Sequence, residues 1–210
     1  AINVSAQQFV SGDFLGDVER LLELHGLPPD AIELELTENM LQTGAITVET
    51  LRALRMMGIM TALDDFGTGY SSLTSLERLP LSRVKLDRSV LAEVDSNPRA
   101  ASIANSIIAL CRSLGLQVTI EGLERTSQLD FLSACGDVSV QGYLVARPAD
   151  ASEILDIARR MGPRMRALLD AAEGGRVQPP TYHRPAGQAY VHRALAGGAL
   201  QLRLAQASSF

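Results

Sequence analysis

The sequence predicts an α/β fold assembled from parallel β/α units. Three observations predict it. Short strand-like runs alternate with amphipathic helical runs along most of the chain. Four of the helical runs are each followed by a glycine where a left-handed cap is wanted. In strand after strand, the polar residues fall on one face and the apolar residues on the other. With 210 residues and 46% hydrophobic content, the chain is long enough to bury a full core.

The elements follow in order. Residues 2–5 form the first strand, with Ile2 and Val4 opposite Asn3 and Ser5. A helix over 13–25 ends at Gly26, and the second strand, 32–38, sets Leu34 and Leu36 against Glu33, Glu35 and Thr37. The next helix, 45–57, ends at Gly58 and leads to a third strand, 59–66, that carries the adjacent pair Asp64-Asp65. The fourth strand, 83–87, places Val84 and Leu86 opposite Lys85 and Asp87. Helix 98–114 and Gly115 precede the fifth strand, 116–121, where Val118 and Ile120 oppose Thr119 and Glu121. Helix 127–135 and Gly136 precede the sixth, 138–143, where Val138 and Val140 oppose Ser139 and Gln141. A last helix is predicted over 151–161.

Composition changes after residue 162. Residues 163–210 are rich in Ala, Gly, Arg and Pro, with six arginines against Asp170 and Glu173. The expected division is therefore a folded domain over 1–162 and a basic, disordered tail over 163–210, with one short helix near 164–172. The formal net charge of −5 argues against a general nucleic-acid binder, because affinity for phosphate backbones comes from clustered Lys and Arg. Cys111 and Cys135 have no metal-ligand spacing and read as buried, reduced residues. No apolar run approaches the ~18 residues of a spanning helix. The expectation is a cytoplasmic segment, with room for a membrane anchor elsewhere in a longer protein.

An apolar strand face packs on helices, which turns the polar face inward. Asn3, Glu35, Asp64, Asp65, Lys85, Glu121 and Gln141 all fall at or near the C-terminal ends of parallel strands, where barrel enzymes gather their active sites. Taken singly, each is an ordinary strand charge or turn residue. Taken together, four carboxylates, the amides of Asn3 and Gln141 and one lysine form an oxygen-rich set suited to hard divalent ions such as Mg2+ or Mn2+. Buried carboxylates are costly unless paired or bound to metal. The segment Asp64-Asp65-Phe66-Gly67-Thr68-Gly69-Tyr70-Ser71-Ser72-Leu73 adds a glycine-rich loop, with serines placed to cap a following short helix.

These residues carry a family resemblance. Asn3-Val4-Ser5, Glu35-Leu36-Thr37-Glu38, the loop from Asp64 to Leu73, Lys85-Leu86-Asp87, Glu121-Gly122 and Gln141-Gly142-Tyr143 resemble, in order and spacing, the EAL family of cyclic-di-GMP phosphodiesterases. The resemblance covers residues 1–148. It implies a TIM-like β/α barrel, two Mg2+ or Mn2+ ions, and hydrolysis of cyclic-di-GMP to linear pGpG in bacterial second-messenger signalling. It implies metal ligands at Asn3, Glu35, Asp64, Asp65 and Glu121, with Asp87 as a further acceptor. Lys85, Asp65 and Glu121 would be catalytic, Lys85 and Gln141 would meet substrate, and Glu38 would anchor the Asp-Asp loop. A homodimer through the 64–73 loop is also implied.

The departures are Ile120, where the family prefers a small residue, Val90, where an aromatic is frequent, and the Glu-Ala-Leu strand. That strand is expected to lie outside the chain, leaving about six parallel strands in a barrel incomplete at its N-terminus. The alternative function is a catalytically inactive module that acts as a cyclic-di-GMP receptor or dimerising platform.

Overall fold

The computed structural model describes residues 1–10, 12–41, 45–68 and 73–174. All six predicted strands form, and they lie in one parallel sheet in sequential order, β1 through β6. They are β1 Ile2–Asn3, β2 Glu33–Thr37, β3 Met60–Phe66, β4 Arg83–Leu86, β5 Gln117–Ile120 and β6 Ser139–Val140. A parallel sheet in chain order, with helices between its strands, is the architecture of a β/α barrel. The two edge strands are the shortest, at two residues each.

The helices are α1 Ala6–Val10, α2 Phe14–His25, α3 Glu38–Leu41, α4 Ala45–Met56, α5 Leu73–Arg78, α6 Pro98–Ser113, α7 Thr126–Ser133 and α8 Ile154–Gly174. Their ends follow local chemistry. Asp13 caps α2 by accepting a hydrogen bond from Gly16 N–H, and Asn97 caps α6 from Arg99 and Ala100 N–H ahead of Pro98. Gly26, Gly58, Gly115 and Gly136 all adopt the positive φ predicted for them. The core lies between the outer strand face and the helices: Leu34, Leu36, Leu63, Val84, Leu86, Val118 and Ile120 pack with Leu22, Leu51, Leu54, Ile108, Leu129 and Leu132. Cys111 and Cys135 are both buried and free, as expected.

Two expectations need correction. The predicted breaks on either side of Pro163 do not occur, because α8 runs through it from Ile154 to Gly174. Proline inside a helix removes one hydrogen bond and crowds the preceding turn. Ile157, Met161, Met165 and Leu168 nevertheless make one stripe against the core across the proline, and Met161 and Met165 are buried. Burial of that stripe outweighs the local defect, and the helix crosses the boundary predicted at 162. The second concerns residue 38, placed at the end of the second strand by the sequence: β2 ends at Thr37, and Glu38 begins α3. Residues 175–210 lie outside the described residues, as do Gly69, Tyr70, Ser71 and Ser72 of the glycine-rich loop. Among the described residues no helix is long and apolar enough to cross a membrane.

Candidate active site

The inner face of the sheet carries two rows of polar side chains, one two residues above the other. The upper row, at the C-terminal strand ends, centres on Lys85. Its ammonium lies 3.0 Å from Glu35 Oε2, 2.8 Å from Asp64 Oδ1 and 2.8 Å from Glu121 Oε1. Strands β2, β3, β4 and the end of β5 therefore meet at one nitrogen. Lys85 and Glu35 are buried, although both are charged.

Asp64 and Asp65 are consecutive, so a regular strand would send them to opposite faces. The register between β3 and β4 slips at this point: Leu63 pairs with Val84 and Phe66 with Leu86, so three steps on β3 match two on β4. Such a bulge re-aims side chains. Asp65 takes φ 55, and it is the one non-glycine residue with positive φ among the described residues. As a result, one carboxylate oxygen from each of Asp64, Asp65 and Glu121 lies within 4.8 Å of the others.

The chain around Glu121 is equally constrained. Gly122 has φ 70, and a Cβ there would collide with Arg88 Cβ, so only glycine lets the segment after Glu121 pass this close to Arg88. Gln128, buried in α7, holds the same segment. Its Oε1 accepts from Glu124 and Arg125 N–H, and its Nε2 donates to Leu91 O at 3.1 Å.

The charges perturb one another as this crowding requires. Burial opposes the charged form of Lys85, but the carboxylates of Asp64, Glu121 and Glu35 outweigh it and hold the ammonium protonated far above its ordinary range. Burial is also the main reason that Glu121 binds its proton more tightly than usual; Lys85 opposes this, while Asp64 and Glu35 reinforce it. Asp65 is raised for the same first reason, with Asp64 and Asp87 adding to it.

The remaining predicted residues fall as follows. Asn3, on the edge strand, is the register partner of Glu35 and is exposed. Gln141 lines a cavity of about 280 Å³ together with Glu35 and Lys85. Glu38, half-buried, begins α3 directly after β2. Asp87 caps the short 3-10 turn Arg88–Leu91, accepting from Ser89 N–H at 2.8 Å. Burial pushes the Asp87 carboxyl up, but the bonds from Ser89 and Arg88 outweigh it and the net direction is down. Asp87 stands outside the three-carboxylate cluster.

Alternation places Glu33, Thr119 and Ser139 of the lower row on the inward face, but Arg83, which joins them, is not anticipated from the sequence. Arg83, only 3% exposed, donates from Nε to Glu33 Oε2 at 2.7 Å and from Nη1 to Thr119 Oγ1 at 2.9 Å and Ser139 Oγ at 3.4 Å. Its Nη2 donates to Gln117 Oε1. The available signal was its spacing, two residues before Lys85 and so on the same strand face.

The donor set of the upper row fits hard divalent ions. All the offered groups are oxygens, and one ammonium faces the four carboxylates of Glu35, Asp64, Asp65 and Glu121. Asp64 Oδ1 is buried with no aligned hydrogen bond, although Lys85 Nζ is in ion-pair contact with it.

Comparison with known proteins places this geometry among relatives. The EAL domain family model matches residues 1–148. The cyclic di-GMP phosphodiesterase RocR of Pseudomonas aeruginosa is 38% identical over 157 residues, which is 74% of this chain and 40% of RocR. Among solved structures, the Pseudomonas aeruginosa MucR phosphodiesterase in complex with c-di-GMP superposes with a TM-score of 0.66 at 39% identity, covering 72% of this chain and 62% of that one. The manganese and cyclic di-GMP complex of Klebsiella pneumoniae BlrP1 gives a TM-score of 0.65 at 31% identity, over 70% of this chain and 38% of that one. The chain spans between 20% and 40% of the length of the first curated relatives it matches.

Proposed function

The chain belongs to the EAL domain family, and from that membership we propose that it hydrolyses one phosphodiester of cyclic di-GMP to linear pGpG in cytoplasmic second-messenger signalling. The observation that carries the reading is the charge imbalance of the upper row, where one ammonium faces four carboxylates. A site with that deficit attracts cations, and cations are what an acidic protein needs to accept a phosphodiester.

Asp64, Asp65 and Glu121, with Glu35 and its neighbour Asn3, would hold two Mg2+ or Mn2+ ions. Bound there, such ions would acidify a water and stabilise the attacking and leaving oxygens. Lys85, held protonated, is a fixed hydrogen-bond donor and a positive charge for the phosphate, not a base. Asp65 stands exposed at the mouth beside Asp64 and Glu121, which places it to take the proton of the attacking water. Gln141 orients substrate or water from β6. Glu38 anchors the segment that starts at Asp64, and we assign Asp87 to holding the 3-10 turn through Ser89. Two copies would pair through the 64–73 loop, as in dimeric members of the family.

The test uses the full-length protein, with cyclic di-GMP and Mn2+, following pGpG by chromatography. Conversion is expected, and Glu35→Ala or Lys85→Ala should reduce it by about 10²–10³-fold or more, the scale of losing an electrostatic stabiliser. Undiminished conversion in Lys85→Ala would sink the mechanism. Tight binding of cyclic di-GMP without any product would select the receptor function instead.

A further inference from the structure

Three of the four side-chain partners of Arg83 lie two residues before a residue of the upper row, and the fourth, Gln117, lies one step further down β5. Glu33 precedes Glu35 on β2, Thr119 precedes Glu121 on β5, Ser139 precedes Gln141 on β6, and Arg83 itself precedes Lys85 on β4. The guanidinium thus reaches side chains of three other strands, and on each of them one partner lies two residues before that strand's site residue. Side chains two apart on a strand share a face and a pleat, so fixing the lower residue fixes the origin of the upper one.

The space around these rows is not filled by apolar side chains. The cavity of about 280 Å³ is lined by both Arg83 and Lys85, with Glu33, Glu35, Thr119 and Gln141 among its walls. Ile32, Met60 and Val140 also line it, so side chains across this face are held by polar contacts as well as by packing. A planar guanidinium is suited to that task, because its donors point in fixed directions toward several acceptors at once. A lysine ammonium supplies charge but not the fork.

We propose that Arg83 is a positioning residue of the active site, tying β2 across the sheet to β4, β5 and β6 just below the residues Glu35, Lys85, Glu121 and Gln141. It touches none of the proposed metal ligands and acts through the strands that carry them. The inference rests on the function proposed above.

The experiment compares the full-length protein with Arg83→Lys and Thr119→Val. Arg83→Lys keeps a positive charge beside Glu33 and loses the fork; Thr119→Val keeps shape and loses one acceptor. Free Mn2+ is followed by electron paramagnetic resonance, turnover of cyclic di-GMP by product formation, and folding by circular dichroism and Tm. The Mn2+ dissociation constant of Arg83→Lys should rise about 10–100-fold, the scale for residues that orient metal ligands. Its kcat should fall more than its KM rises, and Thr119→Val should shift the same way by less. If both variants bind Mn2+ and turn over like the parent, with only Tm lowered, Arg83 is a fold residue and the proposal is overturned. Should Arg83→Lys fail to fold, Thr119→Val carries the same decision. A parent protein that binds no Mn2+ overturns the proposed function and this inference together, whereas parent-like variants overturn this inference alone.

Discussion

Arg83 and Lys85 leave β4 on the same face, two residues apart, and both are nearly buried, yet the charge around them is arranged differently. Arg83 meets one carboxylate, Glu33, and three neutral oxygens from Gln117, Thr119 and Ser139. Its positive charge is balanced once, and four of its five N–H donors are taken by these acceptors. Lys85 meets three carboxylates, with Asp65 close by in the same cluster. A row built only to hold strands would avoid that surplus, since like charges brought together out of water repel strongly. The lower row is complete in itself, while the upper row is complete only with cations.

Removing the central cation should expose the difference most sharply. In Lys85→Met the upper carboxylates lose their one internal counter-charge, and the metal-free protein should lose about 3–5 kcal/mol of stability, the usual cost of breaking a buried pair. Saturating Mn2+ should return most of that loss, because divalent ions supply the charge that Lys85 no longer does. Denaturant unfolding with and without Mn2+ measures both numbers. An equal loss in both conditions would mean that cations do not seat among these carboxylates.

Removing one acid from each row is the next comparison. Glu33→Gln leaves the Arg83 charge buried without a counter-ion, and should cost about 3 kcal/mol whether or not Mn2+ is present. Glu121→Gln lowers the surplus and leaves Lys85 two carboxylates. It should change metal-free stability by less than about 1 kcal/mol, within the range of ordinary substitutions. It should also abolish most of the stabilisation by Mn2+. Similar losses in the two variants would erase the distinction between the rows.

The upper row is legible in the sequence, whereas Arg83 at the centre of the lower row is not, for a physical reason. Glu121 and Gln141 directly follow their strands and precede glycines, and Glu35 and Lys85 lie within theirs on the inward face, where a polar side chain costs stability unless it serves a site. Arg83 begins its strand, and an arginine there reads as a solvated charge until three-dimensional neighbours supply its acceptors. The six strands were readable because alternation is local and the glycine caps are local. The β3 bulge was not, although it brings Asp64 and Asp65 to one cluster, because register belongs to the strand pair rather than to either sequence. The continuity of α8 across Pro163 was hidden too: the proline signal is local, while burial of Met161 and Met165 on both sides of it is tertiary.

The smallest expected effect is on the pH dependence of the metal-free protein, and its sign separates the rows again. Burial raises the Glu121 carboxyl above its ordinary 4.5, with Asp64 and Glu35 adding to the shift against Lys85. A carboxyl that holds its proton more tightly in the folded state supports folding below its unfolded pKa. That support is lost as pH rises through the folded value. Relative to Glu121→Gln, the parent protein should therefore lose stability from about pH 4.5 upward, then level off once Glu121 is ionised in both states. Tm measured against pH for the two proteins in the presence of a chelator reads this difference directly. A parent protein that instead gains stability over the same range, relative to Glu121→Gln, would mean that Lys85 overcompensates its neighbours. The upper row would then be a balanced ion-pair network like the one around Arg83, with no surplus left for a metal to satisfy.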